Sequence, residues 1–302
     1  MPIHIATDLM TSAAHRDGFV RLPDGRRLGY AEFGDPDGPP ILYLHGFPGS
    51  RLEVGMIPIQ GIRVISPDRP GYGLSDPKPG RSLLDWPHDV AALLDHLGLD
   101  RVAVVGMSGG APYAAACAFA LPDRVGATAL VAGVAPPGHG WEIGSPAGFL
   151  MELGARPLAL RLTALTARSL LRPGQPARIL DTVRRRAGHL LGDRWLLKPG
   201  TGERLLMAWQ EAMHDNMQGP LSDARIYAAP WGFDPADIQG RVAVWHGTED
   251  RTVPVTAGRF FIARIPGARA RIIEGETHFS LAHRHHAGIL RDLLGDREAK
   301  AA

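Results

Sequence analysis

Three groups far apart in the chain have the types needed for nucleophilic catalysis: a serine, a carboxylic acid and a histidine. Gly106-Met107-Ser108-Gly109-Gly110 follows directly on the apolar run Val102 to Val105 and opens the Ala-rich stretch 109–121. Ser108 therefore stands on a tight strand-to-helix turn, the setting in which a G-x-S-x-G pattern presents a serine hydroxyl. Such a turn strains the backbone, and side chains at 106 and 110 would collide with the neighbouring strand and helix. A serine hydroxyl is a weak nucleophile near neutral pH and needs a histidine base, itself oriented by a buried carboxylate. His278 follows the last strand-like run, in Glu274-Gly275-Glu276-Thr277-His278-Phe279, and is assigned as the base. Trp245-His246-Gly247-Thr248-Glu249-Asp250 follows the penultimate run and offers two acids. Asp250 is favoured because its short side chain opens the turn Arg251-Thr252-Val253-Pro254, whereas Glu249 is expected to face solvent; Asp123 and Asp181 are weaker candidates.

The reaction also needs donors for an oxyanion. The amide of Gly109, after the nucleophile, supplies one. In His45-Gly46-Phe47-Pro48-Gly49-Ser50 the proline has no N–H, so the Phe47 amide before it is the candidate for the other, and its ring would wall the pocket. His45 and His246 precede glycines at strand ends and read as structural hydrogen-bonders. His283, His285 and His286 share a helix, but with no carboxylate or cysteine grouped with them they read as a solvated face, and no metal site is expected.

These groups must be carried to one place by the elements around them. Two short alternating segments flank Pro23-Asp24-Gly25, a hairpin signal. The runs Ile41 to Leu44, Ile62 to Ile65, Val102 to Val105 and Val125 to Val131 are apolar on both faces, as buried parallel strands are. Residues 82–97 have helical spacing of Leu83, Trp86, Val90, Leu93, Leu94 and Leu97, with a stop at Gly98. The pattern predicts an α/β fold with a mostly parallel central sheet and helices on both faces, so that strand C-termini converge on one edge. From 136 to 230 strand runs disappear, and amphipathic stretches such as Leu158 to Leu171 and Ile179 to Leu191 take over, which reads as a helical cap insertion. Its twelve basic and eight acidic residues are expected to solvate helix faces rather than bind an anion. Strands resume at Val242 and Ala270, with helices near 256–264 and 280–294. The division expected is a core of 17–135 and 231–294, a cap of 136–230, and tails 1–16 and 295–302.

The H-G-x-P-G loop at 45–49, the D-R-P-G-Y-G-x-S turn from Asp68 to Ser75, the serine turn and the helical cap, in this order, resemble the α/β-hydrolase superfamily over about residues 17–294. Epoxide hydrolases and haloalkane dehalogenases share the H-G-x-P loop but use an aspartate nucleophile, against which Ser108 argues. Thr277 stands where a glycine often precedes the histidine. The resemblance implies serine-hydrolase chemistry without a cofactor, with the substrate set by the cap. The expected reaction is hydrolysis of a carboxylic ester of a small apolar molecule through an acyl-enzyme. A proline-iminopeptidase-like aminopeptidase is the alternative, for which Glu142, Glu152, Glu203, Glu211 and Asp215 could bind a substrate amine; a non-hydrolytic small-molecule receptor of the same fold is another. Large apolar side chains expected to line the pocket are Phe47, Met107, Trp141, Phe149, Leu153, Met207, Trp209, Met213 and Met217.

Composition narrows the partners. The 302 residues hold 33 Lys and Arg against 31 Asp and Glu, with no long run of either sign, so a nucleic-acid surface is not expected. The 45% hydrophobic content suits a globular core. The single cysteine, Cys117, forms no internal disulfide and fits a cytoplasmic setting. Asp8, Thr11 and His15 interrupt any apolar leader, and no membrane span is expected. Oligomeric state is left open.

Overall fold

In the computed structural model, which describes residues 15–56, 59, 61–139, 145–171, 175, 177–198, 201–213 and 217–295, the apolar runs form one eight-stranded sheet. Strands β1 (Arg16–Arg21) and β2 (Arg27–Gly34) make the antiparallel hairpin, and β2 continues antiparallel onto β4 (Arg63–Pro67). The remaining strands, β3 (Pro40–Leu44), β5 (Val102–Met107), β6 (Val125–Val131), β7 (Arg241–Gly247) and β8 (Arg269–Ile273), run parallel, in the order β1-β2-β4-β3-β5-β6-β7-β8.

The central strands are apolar at every position because both faces are covered. Along β5, Val102 and Val104 enter one core cluster, while Ala103, Val105 and Met107 enter the other. The first cluster lies under α1 (Trp86–His96), α2 (Ala111–Ala120) and α8 (Val255–Arg264), through residues such as Trp86, Tyr113 and Phe261. The second lies under α9 (His278–Leu294), through Leu281, Ile289 and Leu293. Small residues line one face of α2, which lets it sit close to β5 and β6.

Among the described residues, five α-helices lie between β6 and β7: α3 (Pro146–Gly154), α4 (Pro157–Leu171), α5 (Ala177–Leu190), α6 (Thr201–Ala212) and α7 (Gln218–Tyr227). They hold a small cluster of their own, made by Leu171, Leu206, Met213 and Met217. One close tie to the core is at α7. The Gly219 N–H donates to the Gly71 carbonyl at 3.0 Å, and a Cβ on Gly71, whose φ is +83°, would lie 2.6 Å from the Gly219 nitrogen. Only glycine at 71 lets the helix come this close.

Candidate active site

The turn after β5 holds Ser108 at φ 52°, in the left-handed region that residues with a side chain seldom occupy. The geometry gives the flanking glycines their reason. A Cβ on Gly106 would stand 2.6 Å from the Gly110 carbonyl oxygen, and one on Gly110 would stand 2.1 Å from the carbonyl oxygen of Leu44 at the end of β3. Ser108 and His278 line the same cavity, of about 330 Å³, at the C-terminal edge of the sheet. A wider polar depression of about 740 Å³ near Arg241, Arg271 and Asp292 contains neither.

Asp250 follows β7 and His278 opens α9. The His278 Nδ1 lies 2.7 Å from Asp250 Oδ2. The other oxygen, Oδ1, accepts the N–H groups of Thr252 and Val253, each at 2.9 Å, which fixes the carboxylate on its own loop. Burial opposes ionisation of Asp250, but the His278 charge and the hydrogen bonds from His246 and His278 outweigh it and hold the carboxyl well below its usual range. Burial likewise disfavours the imidazolium of His278, yet the charge of Asp250 and its hydrogen bond raise the ring above its ordinary value. An ionised carboxylate only accepts, so Nδ1 carries the proton and Nε2 keeps a free lone pair. Glu249 is exposed. His246 donates from Nε2 to the Val253 carbonyl at 2.9 Å and braces the Asp250 loop.

Thr277, in place of the more usual glycine, starts α9: its N–H and hydroxyl both donate to the Ser280 oxygen, at 2.8 and 2.9 Å. On the other side of the base, the Phe279 N–H donates to Asp193 at 2.8 Å, a buried acid that follows α5.

The loop bearing Phe47 is clamped from behind. Arg69 donates to the carbonyls of His45 and, at 2.9 Å, of Gly46, and His45 Nδ1 also reaches the Gly46 oxygen at 3.0 Å. Across the trans Gly46–Phe47 peptide, C=O and N–H point in opposite directions, so holding the carbonyl aims the Phe47 N–H the other way. Gly109 is beside it, since a Cβ there would meet the Phe47 Cβ at 2.8 Å; its amide sits in the first turn, where no helical partner exists.

Arg69 in turn is held by a buried group the sequence reading missed. Asp223 of α7 accepts from Arg69 Nε at 2.8 Å, Tyr72 at 2.9 Å and Tyr227 at 3.2 Å, and also from Arg81 and Tyr113. Burial opposes the Asp223 charge, but Arg69 and Arg81 overcome it and the carboxyl stays well below its usual range. The Tyr227 hydroxyl also lies 2.8 Å from the Gly109 carbonyl oxygen, so its one proton is shared between that oxygen and Asp223. Glu53, likewise missed, is buried in the turn after the H-G-x-P-G loop and lines the cavity. An acid among the buried positions Pro220, Ala224 and Tyr227 of α7 was the signal available for Asp223.

Of the expected pocket residues, Phe47, Met107, Phe149, Leu153 and Trp209 line the cavity. Three others do not. Met213 and Met217 face inward among the helices, in the cluster with Leu171 and Leu206, and Met207 points outward at 49% exposure. Trp141 lies outside the described residues, as do Glu142 and Asp215. Of the acids considered for an amine, Glu152 is exposed and Glu211 pairs with Arg51 at 2.6 Å. The histidines of α9 do have a carboxylate beside them, contrary to expectation: Glu276 lies 3.2 Å from His285 Nε2. Among the described residues no cluster could hold a metal ion, and no helix is long and apolar enough to cross a membrane.

Known proteins resemble the chain in whole and in part. A 2-hydroxy-6-oxo-6-phenylhexa-2,4-dienoate hydrolase of Burkholderia cepacia is 26% identical over 86% of this chain and 87% of its own. A non-heme chloroperoxidase of Streptomyces lividans is 37% identical over 39% of this chain, and the match spans only 45% of that relative. Among solved structures, the enol-lactonase of Burkholderia xenovorans LB400 superposes with a TM-score of 0.67 at 22% identity, covering 92% of this chain and all of the other. The esterase RhEst1 of Rhodococcus sp. ECU1013 does so with 0.61 at 21%, over 92% and 96%. At these identities the structures share the fold. The family described as alpha/beta hydrolase fold matches residues 39–283, most of the chain, and with the sheet order and the serine turn already in place this protein belongs to that family of hydrolases.

Proposed function

We propose that the protein is a serine esterase that cleaves a carboxylic ester of a small apolar molecule through an acyl-enzyme. The observation that carries this reading is the sharing of one apolar cavity by Ser108 and His278, with Asp250 2.7 Å behind the ring. Ser108 Oγ attacks the ester carbonyl while His278 Nε2 takes the hydroxyl proton. The negative oxygen that forms is held by the Phe47 and Gly109 N–H groups. Collapse expels the alcohol, which leaves with the proton from His278, and water activated by the same base releases the acid. Asp250 stabilises the imidazolium and keeps the ring in the working tautomer. The helices 136–230 act as a cap that roofs the acyl group, with Phe149, Leu153 and Trp209 as its apolar contacts. The lone buried Cys117 suits a cytoplasmic enzyme.

Turnover of p-nitrophenyl esters of graded chain length, run beside a prolyl amide substrate, tests the reading. Repeated turnover of the esters, with an organophosphonate attached at Ser108, is the expected result. Preferred cleavage of the prolyl amide, or labelling at another residue, rejects it.

A further inference from the structure

The cavity is acidic where it is not apolar. Its described lining holds no Lys or Arg, and besides His278 the one lining side chain that ordinarily carries charge is Glu53. Tyr43 donates to Glu53 Oε1 at 3.0 Å, and the Gly46 N–H donates to both oxygens, at 2.9 and 3.1 Å. The Glu53 carboxyl lies close to the nucleophile: the point where a Cβ on Gly46 would sit is 3.3 Å from Glu53 Oε2 and 3.4 Å from Ser108 Cβ. Two further buried acids, Asp250 and Asp193, flank His278, through its ring and through the next amide. The nearby guanidinium groups are committed elsewhere. Arg69 and Arg81 bind Asp223, and Arg51 bonds to Asp17, Asp68 and Glu211.

A carboxylate moved from water into such a place loses its hydration, finds no lysine or arginine among the described lining residues, and lies beside the Glu53 carboxyl, which burial already pushes up from its ordinary pKa. An uncharged chain of the same length loses nothing polar and gains apolar contact. We infer that the site takes esters with an uncharged acyl chain and turns away those whose acyl chain ends in a carboxylate, and that Glu53 is the residue enforcing the choice. This rests on the esterase reading and goes further, because the full-length relative named above acts, by its name, on a substrate that is itself a carboxylate.

The test compares kcat/KM of the full chain for p-nitrophenyl octanoate and mono-p-nitrophenyl suberate, which differ by one terminal carboxylate. A preference of about a hundredfold for the octanoate is expected, and one below about tenfold overturns the inference. Glu53→Gln keeps an oxygen for the Gly46 N–H and removes the charge, so it should narrow the preference at least about fivefold. An unchanged preference removes Glu53 from the role. Thr163→Arg adds a cation at a cavity-lining position on the exposed side of α4 and should raise suberate turnover about tenfold; no gain contradicts the account even if Glu53→Gln fails to fold. If neither ester is hydrolysed, the esterase reading fails by itself. The substrate class is then read from thermal shifts of the Ser108→Ala protein with octanamide and with suberamic acid. Stabilisation by octanamide alone supports the inference, and equal stabilisation by both overturns it.

Discussion

The floor and the roof of the cavity are built on different principles. On the floor, Ser108, Asp250 and His278 are each less than 10% exposed, and each stands at the end of a strand or the start of a helix, where backbone geometry fixes it. The Asp250 loop is tied by two of its own amides, the Ser108 turn by the close approach of Gly110 to β3, and His278 by a capped helix. The roof is made of side chains on helices that keep their own small core, with Phe149 still 59% exposed. A floor of this kind holds atoms to the accuracy that proton transfer needs, whereas a roof of this kind can accept different ligands with little cost to the sheet. The difference predicts that substitutions below change rate and substitutions above change choice.

The largest effects therefore belong to the floor. Ser108→Ala should lower kcat by about 10⁴-fold or more with the thermal transition kept, since the hydroxyl is needed for chemistry and not for packing. Asp250→Asn should cost about 10³- to 10⁴-fold, because an amide can present a donor to Nδ1 and so turn the ring to the wrong tautomer. Glu249→Gln, one residue away and exposed, should stay within about twofold. The reverse ranking would move the acid to Glu249. The same pair sets the pH profile. On the proposed reading the neutral imidazole is the base, and Asp250 raises the His278 pKa, so kcat/KM should fall tenfold per pH unit on the acid side of an apparent pKa above 6.5. An acid limb well below that value would mean that Asp250 is not paired with the working histidine.

Between floor and roof stands the buried Asp223 ionic anchor, and it should give an intermediate effect of mixed kind. Asp223→Ala leaves Arg69 and Arg81 buried without their partner, which costs on the order of 3–5 kcal/mol of stability. Tyr227→Phe is gentler: it removes the hydroxyl that joins Asp223 to the Gly109 carbonyl and leaves the ions in place. If the anchor positions the oxyanion donors, Tyr227→Phe should lower kcat about tenfold with KM nearly unchanged, and a boronate mimic of the tetrahedral state should lose the same factor in affinity. A loss in KM alone would assign Tyr227 to the roof.

What could be read from the sequence follows the same division. The serine turn is legible because all of its requirements fall within Gly106 to Gly110, and Asp250 and His278 are legible because each follows an apolar run whose end must lie at the sheet edge. The core strands announce themselves by being apolar on both faces. The Asp223 anchor is not legible in this way, since its partners Arg69 and Arg81 are 154 and 142 residues distant and only the folded chain brings them together. Glu53 has its partners nearby, in Tyr43 and Gly46, yet nothing in a periodic pattern says that a carboxylate there turns inward. Among the inserted helices, periodicity shows that Met213 and Met217 are buried but not against what. Trp209 lines the cavity and also packs against the cluster that holds Met213, just past the end of α6, so helical spacing alone could not tell the two apart.

That overlap makes the smallest expected effects the sharpest test of the roof. Phe149, Leu153 and Trp209 line the cavity, Met213 lies in the helices' own cluster, against which Trp209 also packs, and Met207 faces solvent. Each to-alanine change in the first group removes apolar area that only a long acyl chain would touch. The ratio of kcat/KM for p-nitrophenyl octanoate over p-nitrophenyl acetate should then fall about four- to fifteenfold, as losing one or two buried methylene contacts at about 0.8 kcal/mol each implies. Acetate turnover should barely move, because its acyl group reaches none of these side chains. Met213→Ala deletes core volume instead, and should lower stability by about 2–4 kcal/mol with the octanoate-to-acetate ratio intact. Met207→Ala should do neither, because its side chain is half in water before the change. If the ratio fell as much for Met213 as for Leu153, which lines the cavity and is not part of that cluster, the roof would act on substrate through its packing as a whole, and the separation of cavity lining from helix core would not hold.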